Sequence, residues 1–206
     1  MKTILQFIVF ILFGLQLTHG QLLSFTPEIV LGTRSHTYQH YINYSFDSNW
    51  SINNVTLFDA EYFTEGNTIF FIRNMLAYKV SKHYKINAGF GVKNPGTFST
   101  INGQYQLTKS KLKLNYSIGT TYQEGFTLEQ NISLNYTPRL TNTLDFYLSV
   151  FAVMNTDFKM INRGIQQVKI GVKKGDIMFG LAGNLDQFNN TSKTLENYGV
   201  FIKYNF

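Results

Sequence analysis

The stretch Tyr84-Lys-Ile-Asn-Ala-Gly-Phe-Gly-Val-Lys93 decides the fold. Tyr84, Ile86, Ala88, Phe90 and Val92 share one parity, and Lys85, Asn87, Gly89, Gly91 and Lys93 share the other. A period of two predicts a strand with one apolar and one polar face. The pattern continues downstream. Leu112, Leu114, Tyr116, Ile118 and Tyr122 oppose Lys113, Asn115, Ser117, Gly119 and Thr121; Phe126, Leu128, Ile132, Leu134 and Tyr136 oppose Glu129, Asn131, Ser133 and Asn135. Thr100–Thr108, Leu144–Met154, Val168–Lys173, Ile177–Leu185 and Tyr198–Phe206 alternate in the same way. Upstream, Tyr38–Phe46, Phe58–Tyr62 and Phe70–Val80 are less regular. A first strand near Leu23–Leu31 is interrupted by Pro27, a residue confined to strand edges and ends.

Residues paired across a hairpin face the same side, so parity constrains each turn. Leu107 and Leu112 place a two-residue turn at Lys109-Ser110, and Val172 and Ile177 place one at Lys174-Gly175, where Gly supplies a positive φ. Tyr122 and Phe126 leave Gln123-Glu124-Gly125, with Gly125 expected in the left-handed conformation of a bulged turn. The strands number twelve, or ten if the Pro27 strand and its partner fail, with Phe25–Leu31 then a plug or an N-terminal arm. Short turns near Lys82, Lys109, Pro138–Asn142 and Lys174, with the Asp47–Asn53 link, fall at one end. Connections near Thr33, Gly66, Pro95, Glu124, Thr156 and Asn189 fall at the other.

The 206 residues include 13 Tyr and 19 Phe but no Cys. That composition excludes disorder, disulfides and Cys-based metal or thiol chemistry. Residues 1–20 read as a secretory leader: Lys2, the apolar Ile4–Leu17, and Thr18-His19-Gly20 before a cleavage at Gln21. The apolar run is short against the ~20 residues of a membrane helix and is broken by Gln6 and Gln16. Residues 21–206 are expected to form one domain. Losing Lys2 leaves 17 of the 18 basic residues against 12 acidic ones, an excess that fits a lumen and rim rather than a nucleic-acid surface.

A soluble sandwich also alternates, but three features favour an all-β, closed, antiparallel up-and-down transmembrane barrel. The apolar faces carry about five side chains, which suits the ~9–11 tilted residues that cross a bilayer. The opposite faces are Asn, Gln, Ser, Thr, Gly and Lys. Tyr and Phe gather at strand ends, where amphipathic rings favour the membrane interface. The last nine residues, Tyr198-Gly-Val-Phe-Ile-Lys-Tyr-Asn-Phe206, add to this. With Tyr198, Val200, Ile202, Tyr204 and Phe206 on one face, they resemble the C-terminal β-signal of small Gram-negative outer-membrane β-barrel proteins. The resemblance implies recognition by the barrel-assembly machinery, contact with outer-membrane lipids, and both mature termini in the periplasm.

Catalytic chemistry has few candidates. His36, His40 and His83 survive processing, and His36 and His40 lie four residues apart, about 13 Å along a strand, too far to share a metal directly. His40-Tyr-Ile-Asn43-Tyr-Ser45 holds the residue types of barrel lipid hydrolases in neither their order nor their spacing. Recurrent Asn-x-Ser/Thr triplets follow from polar lumen faces. Parity directs Asp59, Arg73, Lys79, Lys85, Lys113, Glu129, Asp145, Lys169, Lys173 and Lys203 into the lumen. Asp59 and Arg73 are expected to pair across neighbouring strands, and bulky Tyr41, Tyr147, Phe151 and Phe201 to narrow the interior. Asn74 and Gln130 break the lipid face, marking a bulge, a contact with an envelope protein partner, or tolerated polarity.

No cofactor, metal or nucleic acid is expected. Two functions compete: a narrow porin-like pore for small polar or anionic solutes, and an accessory barrel subunit of a larger outer-membrane complex, its lumen filled by side chains. An embedded lipid-processing enzyme is disfavoured.

Overall fold

The computed structural model describes residues 23–63, 68–190 and 192–206. The expected leader, residues 1–20, lies outside them, as does Gly66. Twelve strands follow one another: β1 (Leu23–Gly32), β2 (Ser35–Ser45), β3 (Trp50–Glu61), β4 (Ile69–Lys79), β5 (Tyr84–Lys93), β6 (Gly96–Lys109), β7 (Leu112–Tyr122), β8 (Phe126–Tyr136), β9 (Asp145–Thr156), β10 (Ile161–Lys174), β11 (Ile177–Phe188) and β12 (Lys193–Tyr204). Each pairs antiparallel with its chain neighbour, and β12 returns to β1, closing the barrel. Closure leaves no sheet edge, the condition for a strand-built structure surrounded by lipid.

The apolar parity faces outward. On β5, Tyr84, Ile86, Ala88, Phe90 and Val92 are exposed, while Asn87 and Gly91 are buried. Aromatic rings band both ends of the outer wall: Trp50 packs on Tyr78 and Tyr84 on Tyr105 at the end bearing Leu23 and Phe206, and Tyr122 packs on Phe126 at the other. We call these ends the terminal rim and the distal rim.

Two details differ from the sequence expectation, both in turns, and two readings that the sequence left open are decided, at the Pro27 segment and at Asn74 and Gln130. The Pro27 segment is neither plug nor arm: β1 keeps nine register pairs with β2, Pro27 opposite His40 among them. Its ladder with β12 begins only at Glu28, where Pro27, lacking an N–H, gives way to a residue that can donate. The two tight turns sit one residue later than expected, at Ser110-Lys111 and Gly175-Asp176, because Lys109 pairs with Leu112 and Lys174 with Ile177. Parity fixes which face a residue takes but not how far the strands run. Ser110 (φ 36) and Gly175 (φ 59) take the positive φ of the first central position, as in type II′ hairpins. In the three-residue turn the left-handed residue is Glu124 (φ 60), not Gly125. Finally, Asn74 and Gln130 mark no bulge: Asn54↔Asn74↔Phe90 and Ile118↔Gln130↔Met154 continue the register unbroken.

The seam between β1 and β12 is short, five register pairs from Glu28↔Lys203 to Gly32↔Gly199. Side chains reinforce it at both ends. Near the distal rim the Asn197 amide is 1% exposed. Its Oδ1 accepts the Arg34 and Ser35 N–H groups at 3.0 and 3.3 Å, and its Nδ2 donates to the Ser35 carbonyl and Oγ at 3.2 and 2.9 Å. A Cβ on Gly32 would lie 2.0 Å from Asn197 Oδ1, so only Gly leaves room for the amide. At the terminal rim the Phe206 N–H donates to the Phe25 carbonyl at 2.9 Å, and the two rings stack 5.6 Å apart. Removing a fully bonded buried amide forfeits net bonds of about 1 kcal/mol each and strands its backbone partners. Asn197→Ala should therefore lower barrel stability by about 2–4 kcal/mol, seen as a lower urea midpoint of the heat-modifiable folded band. An unchanged midpoint would show that the clasp carries no stability.

Candidate functional site: the barrel lumen

Inward parity gathers the polar and charged residues around the barrel axis. Toward the terminal rim the lumen holds a cavity of about 660 Å³. Arg73, Lys85, Lys111, Lys113, Lys173 and Lys203 stand on its wall among Ser, Thr, Asn and Gln, and no described lining residue is Asp or Glu. Tyr41, Val55, Met75, Tyr147 and Met178 supply its apolar surface.

Above the cavity the lumen is crossed and narrowed. Arg73 on β4 reaches Glu129 on β8, Nη1 to Oε1 at 2.9 Å, although the strands are not neighbours. Glu28 on β1, 2% exposed, is bonded by the Lys169 ammonium from β10 and by Gln39 Nε2 at 2.6 Å, while Lys203 lies 3.9 Å from its other oxygen. Beside that hub, Val30, Tyr147, Met178, Ala182 and Phe201 form a packed apolar cluster inside the barrel. A buried carboxylate is tolerable because two ammonium groups face it.

Toward the distal rim three cations lie over rings. Arg73 covers Phe71, Lys93 covers Phe98 and Arg163 covers Phe188, with cation-to-centroid distances of 5.3, 5.0 and 5.1 Å. Phe71 and Phe98 stack on each other at 5.4 Å. Arg163 also grips Asp186 with two nitrogens, at 3.0 and 2.5 Å. At the rim Arg34 binds both Glu61, at 2.7 Å, and Asp59, whose other oxygen accepts the Ser35 and Thr37 hydroxyls at 2.6 and 2.8 Å.

The expected Asp59–Arg73 pair does not form. Both side chains point inward, but Asp59 stands opposite Ile69 and Arg73 opposite Val55, four residues apart along β3. Arg34 neutralises Asp59, and Arg73 spans the lumen instead. Of the remaining inward charges, Lys85, Lys113, Lys173 and Lys203 line the cavity, whereas Lys169 is buried against Glu28. Lys79 is exposed beyond the cavity, opposite Lys85. Asp145 stands opposite Lys173 in the β9–β10 register, outside the cavity lining. The sequence reading missed Glu28, because Pro27 obscured its strand, and missed Arg34 and Lys111, which lie in turns where alternation gives no signal. Phe71, Phe98 and Phe188 also went unnoticed, because inward Phe residues read as lapses in the pattern. His40 faces outward, and among the described residues no group of three or more His, Asp or Glu is placed to hold a metal ion.

The closed barrel matches solved porins. The KdgM porin in complex with disordered oligogalacturonate superposes with a TM-score of 0.52 at 14% identity, over 89% of this chain and 99% of that one. The NanC porin gives a TM-score of 0.53 at 9% identity, over 90% of this chain and 99% of that one. The KdgM porin alone gives 0.51 at 14% identity, over 89% and 99%. At these identities the likeness establishes the fold alone: a closed twelve-stranded antiparallel barrel of the kind these porins have. No protein-family model matches the chain. No curated protein matches it.

The cross-lumen pair is the element most open to test. Arg73 and Glu129 keep 16% and 15% of their side-chain surface. Breaking the pair should therefore destabilise by about 1–3 kcal/mol, below the 3–5 of a fully buried pair. Arg73→Ala and Glu129→Ala should each lower the urea midpoint, and a double-mutant cycle should return a coupling of about 1 kcal/mol or more. Additive effects would mean that the two side chains do not act together.

Proposed function

We propose that this chain is a narrow outer-membrane pore for small anionic or polar solutes, with the terminal rim and its tight turns facing the periplasm. The observation that carries the reading is the cavity wall: six basic side chains and no described carboxylate in a polar-lined space. Low-dielectric walls focus the field of such an array and raise the local concentration of anions. Two of the six are shared with interior carboxylates, Arg73 with Glu129 and Lys203 with Glu28, and Lys173 stands opposite Asp145. Glu28 is also held by Lys169 and Asp186 by Arg163, which leaves Lys85, Lys111 and Lys113 facing no carboxylate on the cavity wall. The excess charge of the lumen is therefore positive. The oligogalacturonate bound in one KdgM porin structure is itself an anion, which agrees in sign. The reading is non-enzymatic and uses no cofactor.

A second reading, an accessory barrel whose interior serves only to hold its shape, is favoured by the packed cluster around Tyr147 and Phe201, 2% and 3% exposed. Twelve strands lie between the filled interiors of about 8 and the open channels of 16–18, so strand number leaves both readings available. Selectivity separates them. Reversal potentials across planar bilayers should show several-fold preference for chloride over potassium near 0.1 M salt. The preference should fade toward 1 M as the Debye length falls from about 10 to about 3 Å. Lys113→Glu with Lys173→Glu should abolish or invert it. Cation preference in the wild type, or an unmoved potential in the double variant, would reject the anion pore.

For assembly, we propose that Tyr198, Val200, Ile202, Tyr204 and Phe206 form the strand presented to the barrel-assembly machinery. Phe206 closes the terminal rim against Phe25 and Tyr204, with ring centroids 5.6 and 4.3 Å away, which supports the reading. Deleting Phe206 should lower the outer-membrane level several-fold and reduce the heat-modifiable fraction; normal values of both would reject the role.

A further inference from the structure

The outer wall carries a feature the pore does not use. On β2–β4 five polar side chains point away from the lumen and bond to one another. Tyr38 OH lies 3.0 Å from His40 Nδ1, and His40 Nε2 lies 3.1 Å from Asn54 Oδ1. Asn54 Oδ1 also accepts the Thr56 hydroxyl at 3.0 Å, and Asn54 Nδ2 donates to Asn74 Oδ1 at 2.9 Å. Because Asn54 Oδ1 can only accept, the tautomer that fits has Nε2–H of His40 donating to it and Nδ1 accepting from the Tyr38 hydroxyl. The bonds run in one direction and end on the Asn74 carboxamide, whose Nδ2 donates to none of these groups.

The cluster lies at mid-height. His40 is the middle residue of Ser35–Ser45, and Asn74 the middle residue of Ile69–Lys79. The exposed apolar Ile52 and Leu76 flank it toward the terminal rim and Phe58 toward the distal rim. Polar side chains at the centre of a bilayer are expensive unless they have partners there. Acyl chains offer neither donors nor acceptors, and lipid headgroups lie about 15 Å away, half of a ~30 Å hydrocarbon core.

We propose that this wall is where two copies of the chain meet about a twofold axis in the membrane. A second copy brings a polar patch to the same depth without further adjustment. A carboxamide complements itself across such an axis: each Asn74 Nδ2 can donate to the other's Oδ1, which keeps one free lone pair. The patch holds no formal charge, so like charges do not meet. A twofold contact also closes after two copies. Tyr116 and Gln130, bonded at 2.9 Å on β7–β8, form a smaller outward polar pair at similar height and define the competing, head-to-tail arrangement.

The chain contains no Cys, so single cysteines report contacts cleanly. The test is oxidative cross-linking of the full barrel in lipid vesicles, with Leu76→Cys on the proposed contact, Leu181→Cys, outward and more exposed on β11, as the control, and a mixture of Leu76→Cys with Ile132→Cys to probe the head-to-tail arrangement. Leu76→Cys should form a disulfide-linked dimer at several times the yield of Leu181→Cys, and adding Asn54→Leu with Asn74→Leu should lower that yield several-fold. Wild-type protein, which carries none of these substitutions, should sediment as a dimer in mild detergent. Four results would each overturn the proposal: equal yields at the two positions, linkage of Leu76→Cys only to Ile132→Cys beside Gln130, linkage only to a different polypeptide, or a wild-type monomer at every protein concentration.

Discussion

A backbone N–H or C=O facing hydrocarbon has nothing to bond, and every other feature of this chain answers to that constraint. Eleven hairpin ladders satisfy it locally, between strands adjacent in sequence. The twelfth must be made between the first strand and the last, and it is the weak point: five register pairs, one end set by Pro27. Asn197 therefore matters out of proportion to its size. Its amide ties β12 to the β1–β2 turn, and Gly32 makes room for it. Phe206 does the matching work at the other rim through one hydrogen bond and one ring stack. Strand closure, rather than a packed hydrophobic centre, is what makes the chain one body.

Closure also decides what the interior can be. Inward side chains from strands far apart in sequence are brought across a narrow space, so charges pair across it. Arg73 and Glu129 are 56 residues apart, and Glu28 and Lys169 are 141 apart. These pairs and the Tyr147–Phe201 cluster narrow the middle. Below them Lys85, Lys111 and Lys113 stand on a cavity wall that carries no described carboxylate. The result is an asymmetric lumen, compensated and aromatic toward the distal rim and cationic toward the terminal rim.

The fold was readable because lipid and lumen impose opposite demands on alternate residues, and a two-residue period survives even where single positions lapse. Strand number, the faces and the side on which each connection lies followed from that period. Turn positions were readable only to parity, which is why Lys109-Ser110 was expected where Ser110-Lys111 occurs. The charged partners were not readable. Parity says that Asp59 and Arg73 face inward but not how far the strands are offset, and the true partner of Arg73 lies four strands away on β8. The outward polarity of Asn74 was visible as an exception. Its partners Asn54, His40, Thr56 and Tyr38 emerge as one hydrogen-bonded cluster only once β2, β3 and β4 are side by side.

The central claim is that the narrowed, cationic lumen conducts. Single-channel recording of the purified barrel in planar bilayers tests it most directly. The account predicts a steady open level of small conductance in potassium chloride that persists at low voltage. Bilayers that stay silent while the inserted protein is demonstrably folded would contradict it, and would leave the packed interior as a purely structural filling.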